Sequence, residues 1–245
     1  MNQQTDNFGK RVFPDPLLER ISMHKVRHDI LMVLNLEKGI FYTVLQMLRA
    51  PGEAMHQYLF VDRSRFMDPT RFLLLTVALL TFVTLNFFPE IGFYQGLEQG
   101  FKAGENPEKQ AIFGKLIALY SDYMSVLMLL TVPPAALVSW ILFGKYKLHY
   151  AEHLVINAYL WGFLSFITIF TQLAVKFIDV WVYSSIIYIG YALYNLYFFK
   201  QVFKLTFLKS ILLGILYNIL SFVLGTFFFV ISGMVLGLIA YLSIR

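Results

Sequence analysis

The pattern of apolar and polar positions changes near residue 70. Before that point apolar residues recur at helical spacing among charges, and after it they gather into long, nearly uncharged blocks. Residues 1–20 read as a loose tail. Over 21–70 three amphipathic pieces follow: HKVRHDILMVLNLEKG, giving way at Gly39, IFYTVLQMLRA, ending at Pro51-Gly52, and EAMHQYLFV, running into the charged stretch DRSRFMDPTR. None reaches the roughly 20 apolar residues that a membrane-spanning helix needs. Their apolar faces beside Lys, Arg and His predict helices lying on a membrane surface or against a bundle. A soluble helical hairpin is the plainer alternative.

Residues 71–245 predict a transmembrane helical domain, so the expected fold class is an all-α polytopic bundle with amphipathic N-terminal helices. The first span covers 71–88, the second about Leu116–Phe143, the third about His153–Phe177 and the fourth about Val180–Phe199. The last apolar stretch, 208–242, has two readings. A hairpin turning near Gly225-Thr226 gives six spans and is preferred. One helix gives five and would be roughly 50 Å long against a hydrocarbon core of about 30 Å.

Composition supports the bilayer as solvent. The chain is 58% hydrophobic and 14% charged, with mean hydropathy +0.63, more apolar than one soluble core can hide. The absence of cysteine excludes a disulfide framework, a cysteine-ligated zinc ribbon and a thiol nucleophile. The formal charge of +5 is spread among connections, which indicates membrane topology rather than nucleic-acid binding. The first thirty residues mix both signs with prolines and do not read as a cleavable signal peptide. Arg63, Arg65 and Arg71, then Lys145 and Lys147, then Lys200, Lys204 and Lys209 occupy alternate connections. They place those connections and the N-terminus on the cytoplasmic side.

Within this frame a few residues could carry chemistry. HYAEH, residues 149–153, matches the H-x-x-E-H spacing of some zinc hydrolases, with His149 and His153 one helical turn apart and Glu152 beside them. Such a site needs a further ligand, and the nearest acids in adjoining spans, Asp122 and Asp179, fall near the other membrane face. A polar lip where the third span enters the bilayer is the alternative to a metal site. Pro133-Pro134 breaks the second span, a feature shared by helix kinks and transporter binding sites. Asp122 is the only acid placed within a span, in the outer half of the same one, with a wet interfacial turn as the alternative. Asn157, Gln172, Asn195 and Asn218 supply hydrogen-bonding groups along the spans. Tyr188, Tyr191, Tyr194 and Tyr197 form a stripe read as an aromatic belt or packing seam. Gly233 and Gly237 make a G-x-x-x-G face suited to close helix approach, within the chain or in a homo-oligomer.

Two stretches also resemble a known family. Asn35-Leu36-Glu37-Lys38-Gly39, Pro51-Gly52, Tyr58-Leu59, Asp68-Pro69 and Arg71-Phe72-Leu73-Leu74 follow one another in order. A second block combines Pro133-Pro134, a basic loop, and Tyr150, Glu152, His153, Leu154 and Val155. This order resembles the bacterial membrane proteins catalogued as domain of unknown function 3667. The resemblance implies a bacterial inner-membrane location and no particular activity. The chain lacks the zinc ribbon often found in that family, and Asn157 and Tyr159 stand where a further histidine is usual, so a family metal site would not carry over intact.

The expectation is therefore a non-enzymatic transport, permeability or scaffold role. A cavity near Pro133-Pro134 would have Glu152, His153, His149, Asn157 and Asp122 as candidate binding residues. No catalytic residue and no cofactor are expected. The expected partners are the lipid bilayer and a second copy of the chain, not nucleic acid, and no ligand is specified. The alternatives are a membrane-embedded metal-dependent hydrolase built on His149, Glu152 and His153, and a membrane-permeabilising or lipid-interacting effector acting through its surface helices.

Overall fold

The structure is a computed structural model that describes residues 36–88 and 123–242. The N-terminal tail, the long connection after the first span and Asp122 lie outside the described residues. Within them the regular structure is helical throughout.

Helix α1, Leu36–Arg49, is followed directly by α2, Pro51–Phe60. Pro51 occupies the first turn of α2, where a missing N–H is harmless. It cannot, however, return a hydrogen bond to the Met47 carbonyl one turn earlier. Helix α3, Pro69–Phe87, starts where the Asp68 carboxylate accepts from the backbone N–H groups of Thr70 and Arg71 at 3.0 and 3.1 Å, with Pro69 in the first turn. Inside α3, Thr76, Thr81 and Thr84 each donate to a carbonyl one turn back, so their hydroxyls are satisfied within the helix.

The double proline divides the next span. Helix α4, Met124–Leu130, ends at Thr131, and α5, Val132–Leu142, begins again with both prolines in its first turn. Helix α6, Tyr150–Thr171, continues into a 3₁₀ segment, Gln172–Lys176. Asp179 caps α7, Val180–Val202, by accepting from the N–H groups of Trp181 and Val182. The last helix, α8, covers Phe207–Leu242.

Here the sequence-based expectation is corrected. Residues 208–242 form no hairpin, and α8 runs without a break through Gly225-Thr226. A helix satisfies its own amides and carbonyls in hydrocarbon, whereas a turn in that apolar stretch would leave several without partners. Among the described residues, four helical segments are long and apolar enough to cross a membrane: Pro69–Phe87, Met124–Leu142, Tyr150–Lys176 and Phe207–Ser232. Helix α7, with 23 residues, is long enough as well, but its tyrosines reduce its hydropathy.

Named contacts set the directions. Phe72 meets Gly162 near the start of α3, and Thr84 meets Gln172 near its end, so α3 and α6 run parallel. Ser139 meets His153 while Val132 clusters with Ala158, so α5 runs against α6. Phe203 lies by His153 and Tyr183 by Thr171, so α7 also runs against it. The basic connections before α3, between α5 and α6, and between α7 and α8 therefore share one end of the bundle. The larger of two apolar clusters among the described residues joins Met47, Ala54 and Met55 of the first two helices to Phe72, Tyr159, Phe163, Phe198 and Tyr217.

Helix α2 approaches α7 without room for a side chain. A Cβ on Gly52 would fall 2.3 Å from the Gln201 carbonyl oxygen, whereas one on Gly225 would meet nothing within 4 Å. Gly52→Ala should therefore destabilise the detergent-solubilised protein by about 1–3 kcal/mol, the usual cost of overpacking. Gly225→Ala should leave thermal unfolding unchanged or slightly raised. Equal unfolding temperatures for the two variants would contradict the close packing of α2 on α7.

Candidate functional site

The polar side chains of α6 follow a line. His153, Asn157, Trp161 and Ser165 succeed one another every fourth residue, and Thr168 and Gln172 continue the series. Residues three and four apart share a helix face. The line from His153 to Gln172 is about 28 Å long at 1.5 Å per residue, close to the thickness of the hydrocarbon core. It faces the interior for much of its length, since His153, Asn157, Ser165 and Gln172 are all buried.

At the basic end the line enters a network across three helices. His153 is fully buried, with Nδ1 3.0 Å from Ser139 Oγ on α5. Asn157 Nδ2 donates to Ser139 Oγ and to the His153 carbonyl, both at 2.8 Å. The Tyr217 hydroxyl on α8 donates to Asn157 Oδ1 at 2.8 Å. Ser139 Oγ also lies 2.9 Å from the Ala136 carbonyl, which can only accept. A hydroxyl has one proton and two lone pairs. All three Ser139 contacts hold together if the hydroxyl donates to Ala136 and accepts from both Asn157 and His153. That assignment makes His153 Nδ1 a donor. In neutral imidazole it leaves Nε2 as a bare acceptor, and Nε2 has no hydrogen-bond partner among the described residues. The imidazole lies nearly parallel to the Phe203 ring, centroids 5.8 Å apart.

The opposite end is polar too. Gln172 Nε2 donates to Thr84 Oγ1 at 2.6 Å, Thr168 pairs with the Tyr191 hydroxyl, and Thr171 lies 3.3 Å from the Tyr183 hydroxyl. Between the ends, Trp161 Nε1 and Ser221 Oγ lie near the Tyr217 hydroxyl, yet neither makes a hydrogen bond of normal geometry. Gln172 Oε1 is likewise unpartnered among the described residues. Buried polar atoms without partners are rare, because each carries a desolvation cost. Of the five among the described residues, three belong to α6 and its 3₁₀ continuation, on His153, Trp161 and Gln172; the others are Ser221 Oγ on α8 and Asn195 Oδ1 on α7.

The predicted residues are divided by this geometry. His153 and Asn157 come together, joined by Ser139 and Tyr217. Glu152 instead accepts a hydrogen bond from its own His149 backbone N–H at 2.7 Å, closing the first turn of α6. His149 lies outside the helix as its N-cap and is exposed. Among the described residues no three His, Cys, Asp or Glu side chains gather as metal ligands. Pro133 is on the exterior, not against an interior cavity, and its carbonyl accepts from the Tyr150 hydroxyl at 3.1 Å; Pro134 is partly buried beside it. Asp122, and the surroundings of Gly233 and Gly237 within α8, lie outside the described residues. Asn195 pairs with Asn218 across α7 and α8 at 2.8 Å. Ser139 and Tyr217 escaped sequence reasoning. A lone serine and a lone tyrosine in apolar blocks carry no spacing signal.

The tyrosine stripe of α7 does more than line an interface. Tyr194 donates to the Met47 carbonyl at 2.7 Å, the group that Pro51 leaves without a donor, and Tyr197 donates to the Arg49 carbonyl at 3.1 Å. Tyr159 of α6 donates to the Met67 carbonyl at 2.6 Å, just before α3 begins. Tyr58 packs edge-on against Tyr159, and burial followed by the nearby Asp68 charge raises its phenol above the ordinary value.

Residues 37–81 are similar to the family described as Protein of unknown function (DUF3667). The match takes in most of α1, all of α2 and the first part of α3, whereas the block around Pro133 and Glu152-His153 lies outside it. No curated protein and no solved structure matches the chain significantly.

The hydroxyl valences of Ser139 yield a spectroscopic prediction. In ¹⁵N spectra of the histidine-labelled protein at neutral pH, His153 should carry its proton on Nδ1 and show a non-protonated Nε2. A proton on Nε2 alone would contradict the assignment. Asn157→Leu, which removes the central link, should cost about 1–3 kcal/mol by leaving buried groups unpaired, read from detergent unfolding curves.

Proposed function

We propose that this is a non-enzymatic polytopic membrane protein that conducts protons or water along the polar line of α6. The observation that carries the reading is that three of the five buried atoms without a hydrogen bond of normal geometry among the described residues, His153 Nε2, Trp161 Nε1 and Gln172 Oε1, lie on that line, with Ser221 Oγ beside Trp161 near the Tyr217 hydroxyl. Groups that serve as helix glue tend to satisfy one another. Groups that serve a passing species keep a donor or acceptor free for it. Water both donates and accepts, so it can serve the indole N–H, the imidazole lone pair and the amide oxygen in turn. Polar side chains inside a bundle are a recurrent feature of ion and proton paths.

In this reading α7 is a fifth crossing. Its tyrosines Tyr191, Tyr194 and Tyr197 direct their hydroxyls to protein acceptors, which reduces the cost of holding them in lipid. The basic connections then face the cytoplasm by the positive-inside rule. His153 lies at the cytoplasmic end of the line, and five crossings take the C-terminus to the other side. The family resemblance supports assigning this membrane to the bacterial cell interior boundary.

Purified protein in liposomes with a trapped pH-sensitive dye and an imposed potassium diffusion potential provides the test for protons. Stopped-flow light scattering after an osmotic step provides it for water. At least one rate should exceed that of protein-free vesicles and fall to their level with Asn157→Leu. Rates for the unaltered protein equal to protein-free vesicles in both assays would overturn the proposal.

A further inference from the structure

We propose that α1 is a two-sided helix whose outer face is seated in the headgroup–acyl boundary of the bilayer. The inner face is fixed to the bundle. Met47 is fully buried, the Thr43 hydroxyl accepts from the Met67 backbone N–H at 3.0 Å, and Tyr194 and Tyr197 hold the carbonyls of the last turn. The outer face has a second apolar stripe. Phe41, Leu45 and Leu48, spaced i, i+4 and i+7, remain 69%, 40% and 55% exposed. A helix with only an aqueous outer side would carry polar groups there.

Depth identifies the occupant. Tyr194 and Tyr197 lie about two turns and one and a half turns inside the end of α7. Gly52, just beyond α1, approaches the Gln201 carbonyl one residue from that end, so the C-terminal end of α1 lies within about two turns of it, inside the range where interfacial helices bury their apolar faces. Met67, which anchors the middle of α1, directly precedes the cap of the first span. Leu193, next to Tyr194 on α7, is also exposed, as an apolar side chain on the outer side of a crossing helix should be. Arg49, exposed in the last turn, has the long stem needed to reach the headgroups from that depth. This placement does not depend on what, if anything, passes along α6.

The chain contains no cysteine, so single-site labelling needs no background substitutions. Phe41→Cys, Leu45→Cys and Leu48→Cys would each carry a nitroxide in liposome-reconstituted protein, with accessibility measured to oxygen and to a water-soluble nickel chelate. Leu193→Cys supplies the lipid-facing reference and Lys145→Cys the aqueous one. All three α1 sites should resemble position 193, with an oxygen-to-chelate ratio several-fold above that at 145. Chelate accessibility like that at 145 would overturn the proposal, showing a face in water. Low accessibility to both reagents would also overturn it, showing a face covered by the chain's own N-terminal segment or by a second copy.

Discussion

In hydrocarbon a carbonyl or amide that loses its helical partner has no water to replace it. This chain interrupts its helices several times, and at three of the interruptions tyrosine hydroxyls from other elements meet a nearby carbonyl. Tyr194 and Tyr197 reach Met47 and Arg49 at the α1–α2 break, Tyr159 reaches Met67 before α3, and Tyr150 reaches Pro133 after the α4–α5 break. A phenol suits the task because its ring packs as an apolar body while its hydroxyl supplies a single directed donor. Pro51 thus requires Tyr194 as much as any apolar contact requires its neighbour. These bonds link residues far apart in sequence, so they also fix how the amphipathic helices sit on the spans.

The same constraint gives the interior of α6 its meaning. Polar groups buried among apolar helices are costly unless satisfied, and most here are: Asn157 uses both amide protons and its oxygen. Against that background the unpartnered atoms near His153, Trp161 and Gln172 are conspicuous, since nearby groups show that the fold can satisfy such atoms. These three follow one helix axis, whereas the remaining two, Asn195 Oδ1 and Ser221 Oγ, belong to α7 and α8. The HYAEH segment takes its place at the head of this line. Glu152 closes the first turn, His153 points inward, and His149 remains outside the helix.

Much of this was legible in the sequence. The apolar blocks declare the spans because solvent transfer depends on composition alone, and Pro133-Pro134 marks a helix break because proline lacks its N–H. Asp68-Pro69 likewise announces the start of α3. The last stretch was misread, because Gly225-Thr226 resembles a turn signal, yet glycine in lipid is tolerated within a helix that keeps every backbone bond. Ser139 and Tyr217 were invisible, since their meeting at Asn157 depends on how three helices pack and not on any local period. The α7 tyrosines were seen as a stripe, but their acceptors lie in α1, which no spacing rule connects to them.

The packing of the spans depends on interhelical hydrogen bonds of fixed geometry, and the bond between Tyr217 and Asn157 is the cleanest to isolate because both partners are side chains. A double-mutant cycle with Tyr217→Phe and Asn157→Leu, measured by reversible unfolding in mixed micelles, should return a coupling of about 0.5–1.5 kcal/mol. A coupling within error of zero would mean that these groups do not meet, and that α6 and α8 are joined by apolar packing alone.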